Sequence, residues 1–140
     1  MTLMPLKLTI LFVADPCHHY SKMSEANRNV NYQTPESDED LLCDRQLPEV
    51  WYRFVGDAGT KMPTTPVPRN RCGTAKSGWL KTAHPSVEDG IVRRKVCFSS
   101  ISTNCEDFRL IFVKNCGLYY VYKLLAPSSC PRRYCGTDEK

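Results

Sequence analysis

The chain has 140 residues and a formal net charge of +4, with 41% hydrophobic and 24% charged residues. That is one domain's worth of chain, able to bury roughly 70% of its unfolded surface around a single core, and the composition excludes wholesale disorder. The mild charge lacks the basic excess of a nucleic-acid binder, and no apolar run reaches the roughly 18 residues that would span a bilayer.

Residues 1–14 place Lys7 before an apolar stretch that ends at Ala14. One positive charge, a short apolar core and a small residue read as an abbreviated secretory signal. A first strand or a truncated start are the alternatives. Residues 18–42 are polar and predict a long loop with at most one helical turn. Glu36, Asp38, Glu39 and Asp40 form an acidic run there. It lacks the Asp/Asn/Gly ladder of a calcium loop, so it reads as solvated.

Aromatic and β-branched residues at 51–55 predict a strand, and Gly56-Asp57-Ala58-Gly59 a turn. Pro63, Pro66 and Pro68 make 63–72 an extended loop. Trp79 and Leu80 form a short apolar step that ends at His84-Pro85. Residues 86–90 predict a turn, or one helical turn capped by Ser86. Residues 91–98 predict a strand with polar residues at its middle. Residues 108–114 predict another, with Phe108, Leu110 and Phe112 on one face and Ile111 and Val113 on the other. The strongest strand signal is 118–125. Pro127 and Pro131 are expected to close the regular structure. No segment sustains a 3.6-residue period.

The eight cysteines are the informative number. They stand at 17, 43, 72, 97, 105, 116, 130 and 135, with no CxxC pair. Structural zinc sites usually take their ligands in close pairs, and only Cys130 and Cys135 approach that. His18 and His19 follow Cys17, but adjacent side chains on an extended chain point apart. Wide spacing suits disulfides, which stabilise most when they close long loops. Disulfides in turn imply an oxidising compartment.

No catalytic constellation emerges. The three histidines, His18, His19 and His84, lie in predicted loops, and no G-x-S-x-G elbow is present. A bridged cysteine has no thiolate to attack with. The glycine-rich stretches at 56–61 and 73–78 lack phosphate-loop spacing. Arg93-Arg94-Lys95 on a strand points to both faces and makes no stripe for a phosphate backbone. The expected catalytic, metal and cofactor residues are therefore none.

Five signatures carry a family resemblance. The first two are Asp15-Pro16-Cys17 with Tyr20, and Cys43-Asp44 followed by Trp51-Tyr52-Arg53-Phe54-Val55-Gly56. The third is Arg71-Cys72 with Thr74, Ala75, Trp79 and Leu80. The fourth runs from His84-Pro85 through Gly90-Ile91-Val92 to Arg94-Lys95-Val96-Cys97. The last is Cys116-Gly117, then Tyr119-Tyr120-Val121-Tyr122, Leu124, Ala126-Pro127, Cys130 and Tyr134-Cys135. From Cys17 to Cys135 the chain resembles the eight-cysteine domain of uromodulin and the zymogen-granule glycoprotein type. Trp51 and Tyr52 are then expected as core bodies, and tyrosine rings as mainly buried.

The resemblance implies the pairs Cys17–Cys116, Cys43–Cys130, Cys72–Cys135 and Cys97–Cys105. Eight cysteines allow 105 pairings, so this assignment rests on resemblance alone. The fuller family version has a further pair, which falls at Pro66 and Asn104 here. Members often carry a glycan at the segment equivalent to Trp79–His84, where it acts as a decoy for bacterial adhesins. This chain has Lys81-Thr82-Ala83 there and no N-x-[ST] sequon.

The expected fold is a small β-rich, at most α+β, disulfide-stapled domain with long loops. It spans 15–136, after a signal-like 1–14 and before a tail at 137–140. The expected role is a non-catalytic, secreted module that binds an extracellular protein or glycan, with no cofactor, nucleic acid or transmembrane segment. Two alternatives stand beside it. One is a fragment of a larger secreted or membrane-anchored receptor or matrix glycoprotein. The other is a secreted enzyme or inhibitor with a cryptic site near His84 or His18.

Overall fold

The computed structural model describes residues 14–35, 37 and 40–139. Residues 1–13 of the signal-like segment, and Glu36, Asp38 and Glu39 of the acidic run, lie outside the described residues. Seven strands form one sheet: β1 (Ser21–Met23), β2 (Trp51–Phe54), β3 (Lys76–Leu80), β4 (Ile91–Phe98), β5 (Asp107–Asn115), β6 (Tyr120–Lys123) and β7 (Arg132–Tyr134). Their spatial order is β1-β2-β6-β5-β4-β3-β7. The end strands pair parallel to their neighbours and all other pairs are antiparallel. The helical content is short 3₁₀ turns, at Ala26–Arg28, Gly56–Ala58 and Val87–Asp89 among others.

Alternation sets the faces. Tyr52 and Phe54 of β2, Val96 and Phe98 of β4, Ile111 and Val113 of β5, and Tyr122 of β6 all point inward. With Met23, Leu80, Leu124 and Tyr134 they make the main core. The sheet curls over this core, and the segments that follow its outer strands meet. Lys61, beyond β2, pairs with Thr137, and Asn29, beyond β1, pairs with Gly136. Gly136 must be glycine: a Cβ there would lie 2.1 Å from the Ala58 carbonyl oxygen.

The structure corrects several expected elements. The polar stretch 18–42 contains β1 as well as one 3₁₀ turn. The step at Trp79 is part of a full strand, β3. The strand expected at 118–125 contracts to β6, because Cys116–Tyr119 form the turn that joins β5 to it. There the Cys116 N–H donates to the Tyr119 carbonyl at 2.8 Å, Gly117 takes φ +93° and Leu118 is 96% exposed. Regular structure also continues past Pro131 into β7. The turn at 86–90 is capped by a carboxylate: Asp89 accepts the Ser86 N–H at 2.9 Å.

The eight cysteines form four disulfides in the structure, Cys17–Cys116, Cys43–Cys130, Cys72–Cys135 and Cys97–Cys105. They close loops with separations of 99, 87, 63 and 8 residues. Loop-closure entropy makes each of the first three worth about 4–5 kcal/mol, and the last about 2.5.

Asp44, next to Cys43, ties the loops to β7. Its carboxylate holds Arg28 through two bonds, Nη1 to Oδ2 at 2.9 Å and Nη2 to Oδ1 at 2.8 Å. It also accepts the Tyr134 N–H at 2.8 Å. Arg28 in turn donates to the Tyr134 carbonyl at 3.0 Å and to Glu25 at 2.8 Å. Arg133 stands 3.9 Å from the same Asp44 carboxylate. Burial and the neighbouring Arg28 pull the Arg133 guanidinium down to about 10. One buried carboxylate thus serves two buried guanidiniums, and removing it strands both. An Asp44→Asn variant is expected to lose about 3–5 kcal/mol of stability in a denaturant titration with disulfides intact. Glu25→Gln, at a half-exposed partner, is expected to lose less than about 1 kcal/mol.

Candidate functional site

Since the core fills the inner face of the sheet, the outer face decides what the molecule presents. Its β2–β6 end is covered by residues 14–20. Cys17 is bridged to Cys116 there, and the Asp15 carboxylate meets Lys114 Nζ at 3.2 Å. The Cys17 N–H, at 2.9 Å, and Lys114 lower the Asp15 pKa. Arg53 donates to Tyr20 Oη at 2.9 Å, and its guanidinium carbon lies 3.8 Å from the Tyr119 ring centre. Val121, on the same face as Lys114, is fully buried.

The β3–β7 end is covered by a second apolar cluster. Trp79 and Cys97 face each other across β3 and β4 on the outer side. Val30, Val67, Cys72 and Cys135 pack with them. The Trp79 indole N–H donates to the Asn104 carbonyl at 2.8 Å.

Between the two coats, the middle of the sheet is bare. Cross-strand register puts Ile91 beside Lys114, Arg93 beside Phe112 and Lys95 beside Leu110. Phe112 continues to Lys123 of β6, and Lys123 to Trp51 of β2. Phe108, Leu110 and Phe112 are 45%, 47% and 37% exposed. Arg93 stands 5.5 Å from the Phe112 ring centre, and Lys95 Nζ 4.1 Å from that of Phe108. Among the described residues, none of Arg93, Lys95 and Lys123 has a carboxylate partner, whereas Lys114 has Asp15. Hollows flank the strip. One of about 580 Å³ is lined by Thr82, Ala83, His84 and residues of β4 and β5. The other, of about 510 Å³, lies by Trp51, Glu49 and Tyr20.

Sequence reasoning found the alternation at 108–112 without seeing which side is uncovered. A signal was present, because β5 is apolar on both faces and a one-core chain can bury only one of them directly. Arg93 and Lys95 point outward and Arg94 inward, as three consecutive strand residues must. The cationic cluster arises only when β6 brings Lys123 alongside. Trp51, expected in the core, points outward to the rim of a hollow. Tyr52, Tyr122 and Tyr134 are buried, whereas Tyr32 is 42% exposed.

The histidines are placed differently from a catalytic arrangement. His18 is exposed in the turn after Asp15, and its N–H caps the Asp15 carbonyl at 2.9 Å. His84 stacks on Tyr120, with ring centres 4.0 Å apart. Its Nε2 lies 2.7 Å from Tyr122 Oη, which also accepts the Met62 N–H at 2.9 Å. With that acceptance used, the Tyr122 hydroxyl proton is free to go to a neutral His84. Among the described residues, no three His, Cys, Asp or Glu side chains are grouped to hold a metal ion. No helix among them is long and apolar enough to cross a membrane.

Burial, with Lys61 and Arg94 nearby, lowers the His84 pKa from 6.5 to about 4. The folded chain therefore keeps the ring neutral while the unfolded chain takes up a proton near pH 6.5. Stability from this group is full above pH 6.5, declines as pH falls and levels off below about 4, a loss of up to about 3 kcal/mol. Denaturation midpoints measured from pH 7.5 to 4.5, roughly the window between those values, are expected to fall for the wild type. A His84→Gln variant should show a flatter slope.

Comparison with known proteins places this architecture. Residues 52–136, from Tyr52 of β2 through Gly136, match the family described as the uromodulin-like eight-cysteine domain. The chain is 38% identical over 122 residues to the pancreatic secretory granule membrane major glycoprotein GP2 of Canis lupus familiaris, covering 86% of this chain and 23% of that protein. It is 40% identical over 126 residues to uromodulin of Mus musculus, covering 89% of this chain and 19% of that protein. With the Homo sapiens GP2 glycoprotein the identity is 37% over 123 residues, covering 86% and 22%. The chain thus spans about a fifth of the length of the curated relatives it matches. The matched segment, the strand framework and the cysteines agree, and the chain belongs to the family of uromodulin-like eight-cysteine domains.

Proposed function

We propose that the chain is a non-catalytic binding module that works outside the cell, and that it binds through the bare outer face of β4 and β5. The observation that carries this is one of coverage. Disulfide-pinned segments cover both ends of the sheet's outer face, yet Phe108, Leu110 and Phe112 between them stand in register and exposed. Isolated surface apolar residues need no explanation, but a contiguous apolar strip rimmed by charge is characteristic of an interaction site. The extracellular setting is supported by the four disulfides, which persist in oxidising compartments. It is also supported by the relatives, which include a glycoprotein named for the secretory granule membrane.

A second reading sets the same module inside a larger secreted or membrane-anchored glycoprotein. It is favoured by the alignment to about a fifth of each relative. The face would then serve the whole protein's recognition.

The test is capture. Oxidised chain is immobilised and exposed to extracellular fluid of the host, and the retained species are compared with those retained by a Leu110→Glu variant. A charge placed in the centre of the strip is expected to abolish retention while leaving the near-ultraviolet circular dichroism unchanged. Equal retention by the two proteins would overturn the assignment to this face.

A further inference from the structure

Resting on that binding reading, we infer that the β4–β5 face takes a polypeptide segment that combines acidic and apolar side chains. The strip supplies two kinds of contact at once. Phe108, Leu110 and Phe112 are spaced two residues apart, so their side chains run along about 13 Å of strand. That matches an extended segment of about five residues, or two turns of helix. Arg93, Lys95 and Lys123 flank the strip, next to Phe112 and Leu110 by register. Among the described residues, no carboxylate pairs with them. The partner must therefore bring both hydrocarbon and negative charge, since complementarity of sign governs such contacts.

Other partner classes fit less well. β4 and β5 are interior strands paired on both sides. Their backbone cannot accept an added strand, so recognition runs through side chains. A neutral sugar needs acceptors for its hydroxyls, and the central strip offers hydrocarbon and cationic donors. A sulfated glycan or a nucleic acid would satisfy the cations and leave the Phe-Leu-Phe row against charge. A lipid surface would be met better by projecting rings. Here Arg93 and Lys95 lie over the rings of Phe112 and Phe108 and hold them flush with the charges. A second copy of this chain using the same face would set cation against cation.

The experiment uses random dodecapeptides displayed on phage. They are selected on the oxidised wild-type chain and counter-selected on Leu110→Ser and Lys95→Glu variants whose near-ultraviolet spectra match the wild type. Peptides with Asp and Glu in excess over Lys and Arg, and with at least two large apolar residues, are the expected winners. The best of them should bind each variant at least about tenfold more weakly and should lose affinity as salt rises from about 50 to 500 mM. Enrichment of neutral or basic peptides, or equal binding to the variants, would overturn the inference. So would binding of heparin, or of vesicles containing phosphatidylserine, that depends on Leu110 and Lys95 while no acidic peptide is enriched. If Leu110→Glu still abolishes capture of the native ligand while acidic peptides fail, the binding module stands and this partner chemistry alone falls.

Discussion

Four covalent bridges hold irregular chain against a sheet that cannot otherwise keep it there. A single domain of this length has one true core, and the curled sheet encloses it on one face. The other face is met by segments with little regular structure: residues 14–20 at one end, and the loops around Val30, Val67 and Cys72 at the other. Such segments have few backbone hydrogen bonds of their own, and ordering them costs about 1–2 kcal/mol of conformational entropy per residue. Cys17–Cys116 fastens the first to the turn after β5, and Cys72–Cys135 fastens the second to the end of β7. The bridges thereby also determine what is left uncovered, the middle of β4 and β5.

The polar lock at Asp44 complements the bridges in a different way. Disulfides act mainly by limiting the unfolded chain, whereas the carboxylate of Asp44 selects one folded arrangement. It sits beside Cys43, holds Arg28, and accepts the N–H of Tyr134 one residue before Cys135. Arg28, Arg133 and Asp44 are all buried, so any register that separates them exposes an expensive charge to low dielectric. The lock thus brings the segment after β1, the bridge at Cys43 and the last strand to one place.

Parts of this were legible in the sequence for physical reasons. Strands β2, β4 and β5 alternate apolar and polar residues over enough length to read directly, and β4 was read to its true limits, 91–98. β1 and β7 were not legible, because Ser-Lys-Met and Arg-Arg-Tyr carry no strand pattern of their own. Arg132 and Arg133 are buried in β7 only because distant acids, Glu106 for one and Glu25 with Asp44 for the other, meet them there. β3 was half-seen because Gly78 interrupts its pattern. Phe98 lies 2.9 Å from where a Cβ would stand, so the interruption is itself a packing requirement. The candidate surface was legible as a period and hidden as a place. Alternation put Phe108, Leu110 and Phe112 on one side, but which side the loops cover depends on contacts among residues far apart in the chain.

The family membership and the physics meet in the cysteines. Spacing alone leaves every pairing open, and the arrangement in space makes the bridges fasteners of the sheet's outer coat. Peptide mapping of the native protein, alkylated without reductant, tests this most directly. The account predicts no alkylated cysteine, with linked peptides joining Cys17 to Cys116, Cys43 to Cys130, Cys72 to Cys135 and Cys97 to Cys105. An alkylated thiol in the folded protein, or a peptide linking any other two of these cysteines, would contradict it.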